Sequence, residues 1–248
     1  MNSQESKSPR IRVAIPTLNE RDNIVSLCDE ILRVISDVEI VVIDDSSSDG
    51  TGDVVQAYAS THPAVRLVTR PGRLGIGSAH HFALKEAHDD GIEVVVTIDA
   101  DWTHQPSDIP RLIEKLDDAA VVVGSRFAAD GGLSDWAPSR KLLTHVGHAM
   151  TRVFLQLPHD ATGALRAYRV SAVIGPLSSH TLSSGYSWLY QSLGQLHFAD
   201  VTIVEVPIIL TKRAYGSSKM RVRDVIVGAL NLLIFSTLFR WRNRGRQS

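Results

Sequence analysis

Cysteine is almost missing from this chain: Cys28 is the only one in 248 residues, which excludes an internal disulfide and fits a reducing cytosol. The first ten residues, MNSQESKSPR, lack any apolar run, so no secretory signal is expected and residues 1–9 read as a disordered polar tail. Hydrophobic runs of membrane-spanning length are lacking as well. The apolar stretch 225–239 has fifteen residues without a charge, short of the ~20 that a spanning helix needs. Several catalytic signatures are also absent. Gly72, Gly75 and Gly77 form no Gly-x-Gly-x-x-Gly after the first strand, which argues against a nicotinamide site. No Gly-x-Ser-x-Gly elbow surrounds Ser46 to Ser48, which argues against a serine hydrolase. His145 and His148 have no third partner at zinc-like spacing and read as solvated or core histidines.

Net charge is close to zero too, at −1, but its distribution is uneven. Of 26 basic and 27 acidic residues, nine basic ones and a single acid, Asp224, lie from Lys212 onward. A cationic tail on an acidic body suggests anionic lipid or another phosphate-bearing partner, and no nucleic acid is expected. The remaining composition, 44% hydrophobic and 21% charged, is that of a globular protein of one large or two small domains.

The first half alternates strands and helices. Strands are expected at 12–17, 38–44, 65–69, 94–98 and 119–125, and helices at 19–35, 51–60, 77–88 and 107–118, the first capped by Asn19. This order implies a mostly parallel sheet with helices on both faces. The second half reads as a Gly- and Pro-rich loop at 130–138, helices near 140–157 and 187–196, and a strand at 201–210. The terminal stretch 225–239 reads either as a core helix or as an interfacial helix. Its flanking arginines and Trp241 favour the membrane surface.

Three strand ends carry polar clusters: Thr17, Asn19 and Glu20; Asp44, Asp45, Ser46 and Ser48; and Asp99 with Asp101. Parallel strands bring them to one sheet edge, where α/β proteins bind ligands. If the chain stays extended through Asp101, both carboxylates of Asp99-Ala100-Asp101 point to the same side. Like charges that close require a cation, a basic neighbour or a shared proton. The glycines of RPGRLGIGSAHH, at 70–81, could cradle a phosphate, and they fit a loop that another group approaches closely.

The segments IPTLNE, VVIDDSSSDGT, RLGIGSAHHFAL, IDADWTHQP, VVGSRF, DATGALRAYR, SSGYSW and VEVPIILTKRAYGSSK resemble, in order, those of family 2 glycosyltransferases of the GT-A fold. They are most similar to the dolichol-phosphate mannosyltransferase, or polyprenyl-phosphate sugar synthase, branch. The resemblance covers about residues 10 to 220. It implies a GT-A domain over 10–218 and a membrane-associating segment over 219–248, with an interfacial helix. It implies that Pro16, Thr17, Asn19, Glu20, Asp44, Asp45, Gly75, Asp99 and Ala100 surround the nucleotide-sugar donor. Asp99 and Asp101, with Thr103 where relatives carry Gln or Ser, would hold Mg²⁺ or Mn²⁺ on the diphosphate through hard oxygens. Arg126 and Arg140 match arginines near the donor and the acceptor phosphate and, with Asp101, would serve in catalysis. Arg213 and Lys219 would close over the diphosphate.

The implied reaction is inverting transfer of a sugar, with GDP-mannose favoured, onto a polyprenyl phosphate by an enzyme peripheral on the cytoplasmic, inner face of a membrane. Ala164-Leu165 replaces the usual Gly-Phe before Arg166, and Gln191 replaces a common acid. A phosphate acceptor is already ionised near neutrality and needs little help from a base. Two alternatives stand beside this reading. One is a relative using UDP-glucose or UDP-N-acetylglucosamine with a soluble hydroxyl acceptor. The other is a non-catalytic subunit that binds nucleotide sugars.

Overall fold

Runs of β-branched residues build the centre of the protein. In the computed structural model, which describes residues 9–178, 183–214 and 222–244 (with side chains of the last segment from 223 to 237), β1 (Ile11–Thr17), β2 (Val38–Asp44), β3 (Val65–Thr69) and β4 (Val94–Thr97) lie parallel in the order β3-β2-β1-β4. Val13, Ile15, Ile40, Val42 and Val96 are buried on one face of the sheet and Ala14, Val41, Ile43 and Val95 on the other. Burial on both faces explains why these strands read as continuous apolar runs. The crossovers are α1 (Arg21–Val34), α2 (Thr51–Ala59) and α3 (Ile76–Asp89). The Cys28 thiol lies in the core, where burial first and the neighbouring Asp29 second push its pKa up to about 12, so it is an inert packing group.

The second half completes the sheet in an unexpected way. After α4 (Ile109–Glu114) and β5 (Val121–Ser125), the chain forms β6 (Gly132–Leu133) and α5 (Pro138–Leu155), then inserts β7 (Arg166–Arg169) antiparallel between β4 and β5. The sheet is therefore mostly, but not wholly, parallel. Next come α6 (Val170–Ser178), α7 (Ser187–Phe198) and β8 (Ile203–Pro207), the last parallel to β5 at the sheet's edge. The strand expected at 201–210 is two: β8, then β9 (Ile209–Leu210), which pairs with β6 inside the stretch expected to be loop. That small ribbon ties residues 130–134 to the segment that leads into Arg213.

The terminal α8 (Val222–Arg244) packs against α5 and α7. Among the described residues no helix is long and apolar enough to cross a membrane.

Two local expectations are corrected. β4 ends at Thr97, and the chain turns at Ala100 and Asp101 with Trp102 at φ +64° instead of staying extended. Asn19 is not the cap of α1: it sits at φ +56° and its Oδ1 accepts from the Ser48 N–H at 2.8 Å.

Candidate active site

At the ends of β1 and β4 a cleft of about 430 Å³ opens. Pro16, Thr17, Glu20, Asp45, Gly75, Asp99, Ala100, Asp101, Thr103, Arg126, Arg140 and Arg213 all line it. Asn19 and Asp44 do not. Asp44 accepts from Thr17 Oγ1 at 2.9 Å and from the Ser47 N–H at 2.9 Å, so it locks the β1 and β2 loops together beneath the cleft. Asn19 joins the same lock through Ser47 and Ser48. Lys219 lies outside the described residues.

The acidic floor is built by turns. Asp101 Oδ1 accepts from the Thr103 N–H at 3.0 Å and from Thr103 Oγ1 at 2.6 Å, while Oδ2 meets Arg213 at 2.6 Å. The same Arg213 donates to Glu20 Oε1 at 3.1 Å. Its placement follows from backbone pairing of the 211–214 segment with the Asp101 turn: Thr211 N–H to the Thr103 carbonyl, and Ala214 N–H to the Asp101 carbonyl. Asp99 keeps 30% of its side-chain surface, yet burial first and the Asp101 carboxylate second raise its pKa to about 7. The buried His104 lies 3.6 Å away through Nδ1, and burial pushes its own pKa down to about 4. Three carboxylates, Glu20, Asp99 and Asp101, thus meet around the Arg213 guanidinium.

This donor set fits a divalent ion. The ligands offered are carboxylate oxygens. Among the described residues no third His, Cys, Asp or Glu completes a cage around them. Mg²⁺ and Mn²⁺ sites of this kind take one or two carboxylates and fill their remaining positions with phosphate oxygens and water.

Arg126 donates through Nε to Asp160 Oδ2 at 2.7 Å and through NH2 to Asp160 Oδ1 at 2.6 Å and to Thr162 Oγ1 at 2.6 Å. Burial alone would raise the Asp160 pKa, but the Arg126 guanidinium holds it at about 2. Arg140, at the start of α5, stacks over Trp136 at 4.0 Å, and Trp136 Nε1 donates to the Thr211 carbonyl at 2.9 Å. Asp45 is not a loose ligand either. It pairs with buried Arg70 and accepts from the Gly75 N–H at 2.8 Å.

The glycines of the 70–81 loop admit a neighbour. A side chain on Gly77 would put Cβ 2.4 Å from Trp188 Cβ and 2.5 Å from the Gly185 carbonyl oxygen. The N–H groups of Gly75 and Ser78 are taken by Asp45 and by the Ser184 carbonyl. Gly77→Ala is therefore expected to cost about 3 kcal/mol, read as a lower midpoint in urea unfolding. A midpoint within error of the parent would contradict the packing.

Asp160, Trp136, Thr162, Tyr186 and Asn231 were not named as site residues from the sequence, and Asp224 was noted only as the single acid of the cationic tail. DATG contained the signal for Asp160, a carboxylate two residues before a threonine at a strand entry. For α8 an uncharged stretch conceals any cleft-lining role. The histidines of α5 behave as packing groups: His148 stacks on Phe127 at 3.9 Å and His145 meets its edge at 5.4 Å.

A mostly parallel sheet ending in paired carboxylates, with Arg73, Arg126, Arg140 and Arg213 lining the same cleft, defines a class of enzyme that handles phosphorylated substrates. Residues 12–175 match Glycosyl transferase family 2. The chain belongs to that family and is a glycosyltransferase. It is 31% identical over 233 residues to an undecaprenyl-phosphate mannosyltransferase of Micrococcus luteus, covering 94% of this chain and 96% of that protein. It is 32% identical over 214 residues to a polyprenol monophosphomannose synthase of Mycolicibacterium smegmatis, covering 85% and 81%. The GT-A fold is shared with glucosyl-3-phosphoglycerate synthase from Mycobacterium tuberculosis, solved with Mn²⁺, UDP and glucosyl-3-phosphoglycerate, at a TM-score of 0.65, 22% identity and coverage of 94% and 80%. The same enzyme solved with Mg²⁺ and UDP also gives a TM-score of 0.65, at 22% identity and coverage of 94% and 79%.

Proposed function

We propose that this chain is an inverting, metal-dependent mannosyltransferase that moves mannose from GDP-mannose onto the phosphate of a membrane polyprenyl lipid. The observation that carries the reading is the cleft itself, in which Asp99 and Asp101 share the lining with Arg73, Arg126, Arg140 and Arg213. The two relatives above, an undecaprenyl-phosphate mannosyltransferase and a polyprenol monophosphomannose synthase, support mannose as the sugar and a polyprenyl phosphate as its acceptor.

A phosphate oxygen of the acceptor attacks C1 of the sugar while the C1–O bond to the diphosphate breaks. The nucleoside diphosphate leaves with the electron pair and the configuration at C1 inverts. Repulsion between the two phosphate-bearing substrates is the main obstacle, and cations rather than a base remove it. Arg126 and Arg140 receive the acceptor phosphate. Arg213, joined in this proposal by Lys219, neutralises the departing diphosphate. Asp99 and Asp101 would hold Mg²⁺ or Mn²⁺, with the Thr103 hydroxyl beside them, and that ion supplies charge neutralisation on the diphosphate. Glu20 and Asp101 share Arg213 and so set where that cation waits. The segment 219–248 holds the domain to the inner face of the membrane, where a polyprenyl phosphate resides.

The test is transfer of radiolabelled sugar to a solvent-extractable lipid. Purified protein is given polyprenyl phosphate in detergent and, separately, GDP-mannose, UDP-glucose or UDP-N-acetylglucosamine, with Mn²⁺ or with EDTA. The expected result is lipid label from GDP-mannose alone, abolished by EDTA. Label from a uridine nucleotide would overturn the donor, label that persists in EDTA would overturn the metal, and none from any donor would overturn the acceptor.

A further inference from the structure

Helix α8 contributes a carboxylate to the cleft that the mechanism above does not use. Asp224, Val227 and Asn231 line the cleft, and their spacing in the chain puts them on one side of the helix. That side is fastened to α7 at two points. Asn231 Nδ2 donates to Ser187 Oγ at 3.2 Å, and the Tyr190 hydroxyl donates to the Gly228 carbonyl at 2.9 Å. Gly228 lies about one helical turn after Asp224, so the fastening holds the Asp224 carboxylate at the cleft wall.

Tyr186 shows what that carboxylate stands beside. This residue caps the N-terminus of α7 and lines the cleft. Its hydroxyl is pushed above the ordinary tyrosine range by burial first, then by the carboxylates of Asp99 and Asp224, while Arg213 and Arg73 act the other way. Asp224 is thus within electrostatic reach of the same phenol as Asp99, on the opposite element from the acidic floor.

The chemistry of a carboxylate selects what can bind there. The remaining acids of the cleft belong to the floor or to a loop lock: Glu20 and Asp101 share Arg213, Asp99 sits with Asp101 at the proposed ion, and Asp45 pairs with Arg70. Asp224 reaches the cleft from α8, whose other lining residues carry no charge. A carboxylate repels phosphate and gains nothing from a hydrocarbon chain. It does accept from neutral hydroxyls, and two neighbouring hydroxyls can use both of its oxygens. A hexose offers such pairs. The ribose offers one too, but the nucleotide is expected at the β1 and β2 loops, whereas Asp224 stands with Tyr186 at the start of α7.

We propose that Asp224 is a specificity-determining residue that reads the hexose of the donor, accepting from its ring hydroxyls, with the Tyr186 hydroxyl as a second contact. The terminal helix is then part of the substrate site. This inference rests on the nucleotide-sugar reading above and adds to it the residue that tells one sugar from another.

The experiment compares GDP-mannose with its 2-, 3-, 4- and 6-deoxy analogues as donors for the full-length parent, Asp224→Asn and Asp224→Ala, reading kcat/KM for each pair. In the parent at least one analogue is expected to be ~10- to 100-fold poorer than GDP-mannose, the scale of a lost hydrogen bond to a charged group. In Asp224→Ala that penalty should shrink to about 2-fold, with Asp224→Asn in between. The ratio is taken within each protein, so a general loss of activity or of folded protein cancels. If turnover by the alanine variant is too slow to follow, titration calorimetry of the same donors supplies the ratio. Equal penalties in parent and both variants would overturn the assignment. Loss of discrimination between GDP-mannose and IDP-mannose, with the deoxy penalties intact, would assign Asp224 to the base and overturn it too. If the parent accepts UDP-glucose and not GDP-mannose, the donor reading above fails on its own. The UDP-deoxyglucose series then decides Asp224 by the same ratio.

Discussion

Replacing Asp101 by alanine is expected to lower glycosyl transfer by about 1,000-fold, the scale on which loss of a preorganised charge in a reaction site is felt. The size of the effect comes from how many roles meet on one side chain. One oxygen receives both donors of Thr103, the other holds Arg213, and the pair Asp99/Asp101 is the proposed seat of the ion. Asp101→Asn separates these roles. It keeps an oxygen for the Thr103 turn but removes the charge that fixes Arg213 and attracts a cation. The expected outcome is a fall in activity close to that of the alanine variant, with an unchanged far-ultraviolet circular dichroism spectrum and Mn²⁺ affinity weakened in titration calorimetry. Activity within a few-fold of the parent in a folded Asp101→Asn protein would remove Asp101 from the mechanism.

The chain's own pattern reveals some of this site and hides the rest for physical reasons. β2 and β3 stand at their expected bounds because a strand buried on both faces leaves an unbroken apolar run. β7 was missed because RAYR begins with a buried arginine: Arg166 is fully enclosed and donates to the Ala161 carbonyl at 2.8 Å. A buried charge breaks the apolar run by which a central strand is recognised. The acidic clusters were visible, but not the division of labour among them. Asp45 is tied to Arg70, twenty-five residues away, and Asp44 to the threonine of the neighbouring strand, so carboxylates that look alike in sequence serve as loop locks. Gln191, noted only as a departure from the usual acid, accepts from the Ser183 N–H at 2.8 Å and so fixes the segment packed on Gly77. Nor could periodicity say which face of α8 is inward, since its apolar residues run around the helix without a stripe, and Asp224, Val227 and Asn231 line the cleft.

Asp160 yields the largest expected change in stability. It is fully enclosed, and it accepts from the Arg126 side chain twice and from the Arg126 and Thr162 N–H groups at 3.2 Å each. Asp160→Ala leaves the Arg126 guanidinium, itself only 8% exposed, without its counter-ion. Breaking one side of such a buried pair costs about 3–5 kcal/mol, or roughly 10 °C in melting temperature for a chain of this size. The pair also gives an acid limb. Its folded pKa of about 2 lies below the ordinary aspartate value of ~3.9, so the stabilisation is complete above that value and is lost as pH falls from about 4 towards 2. The parent should lose stability over that window more steeply than Asp160→Ala, measured by urea unfolding at successive pH values. A purely structural role and a role in the reaction part company in the double variant Arg126→Leu/Asp160→Leu. Removing both charges should recover much of the stability that Asp160→Ala loses, while transfer stays low because the cation proposed to receive the acceptor phosphate is gone. Recovery of activity along with stability would show that Arg126 serves the fold alone.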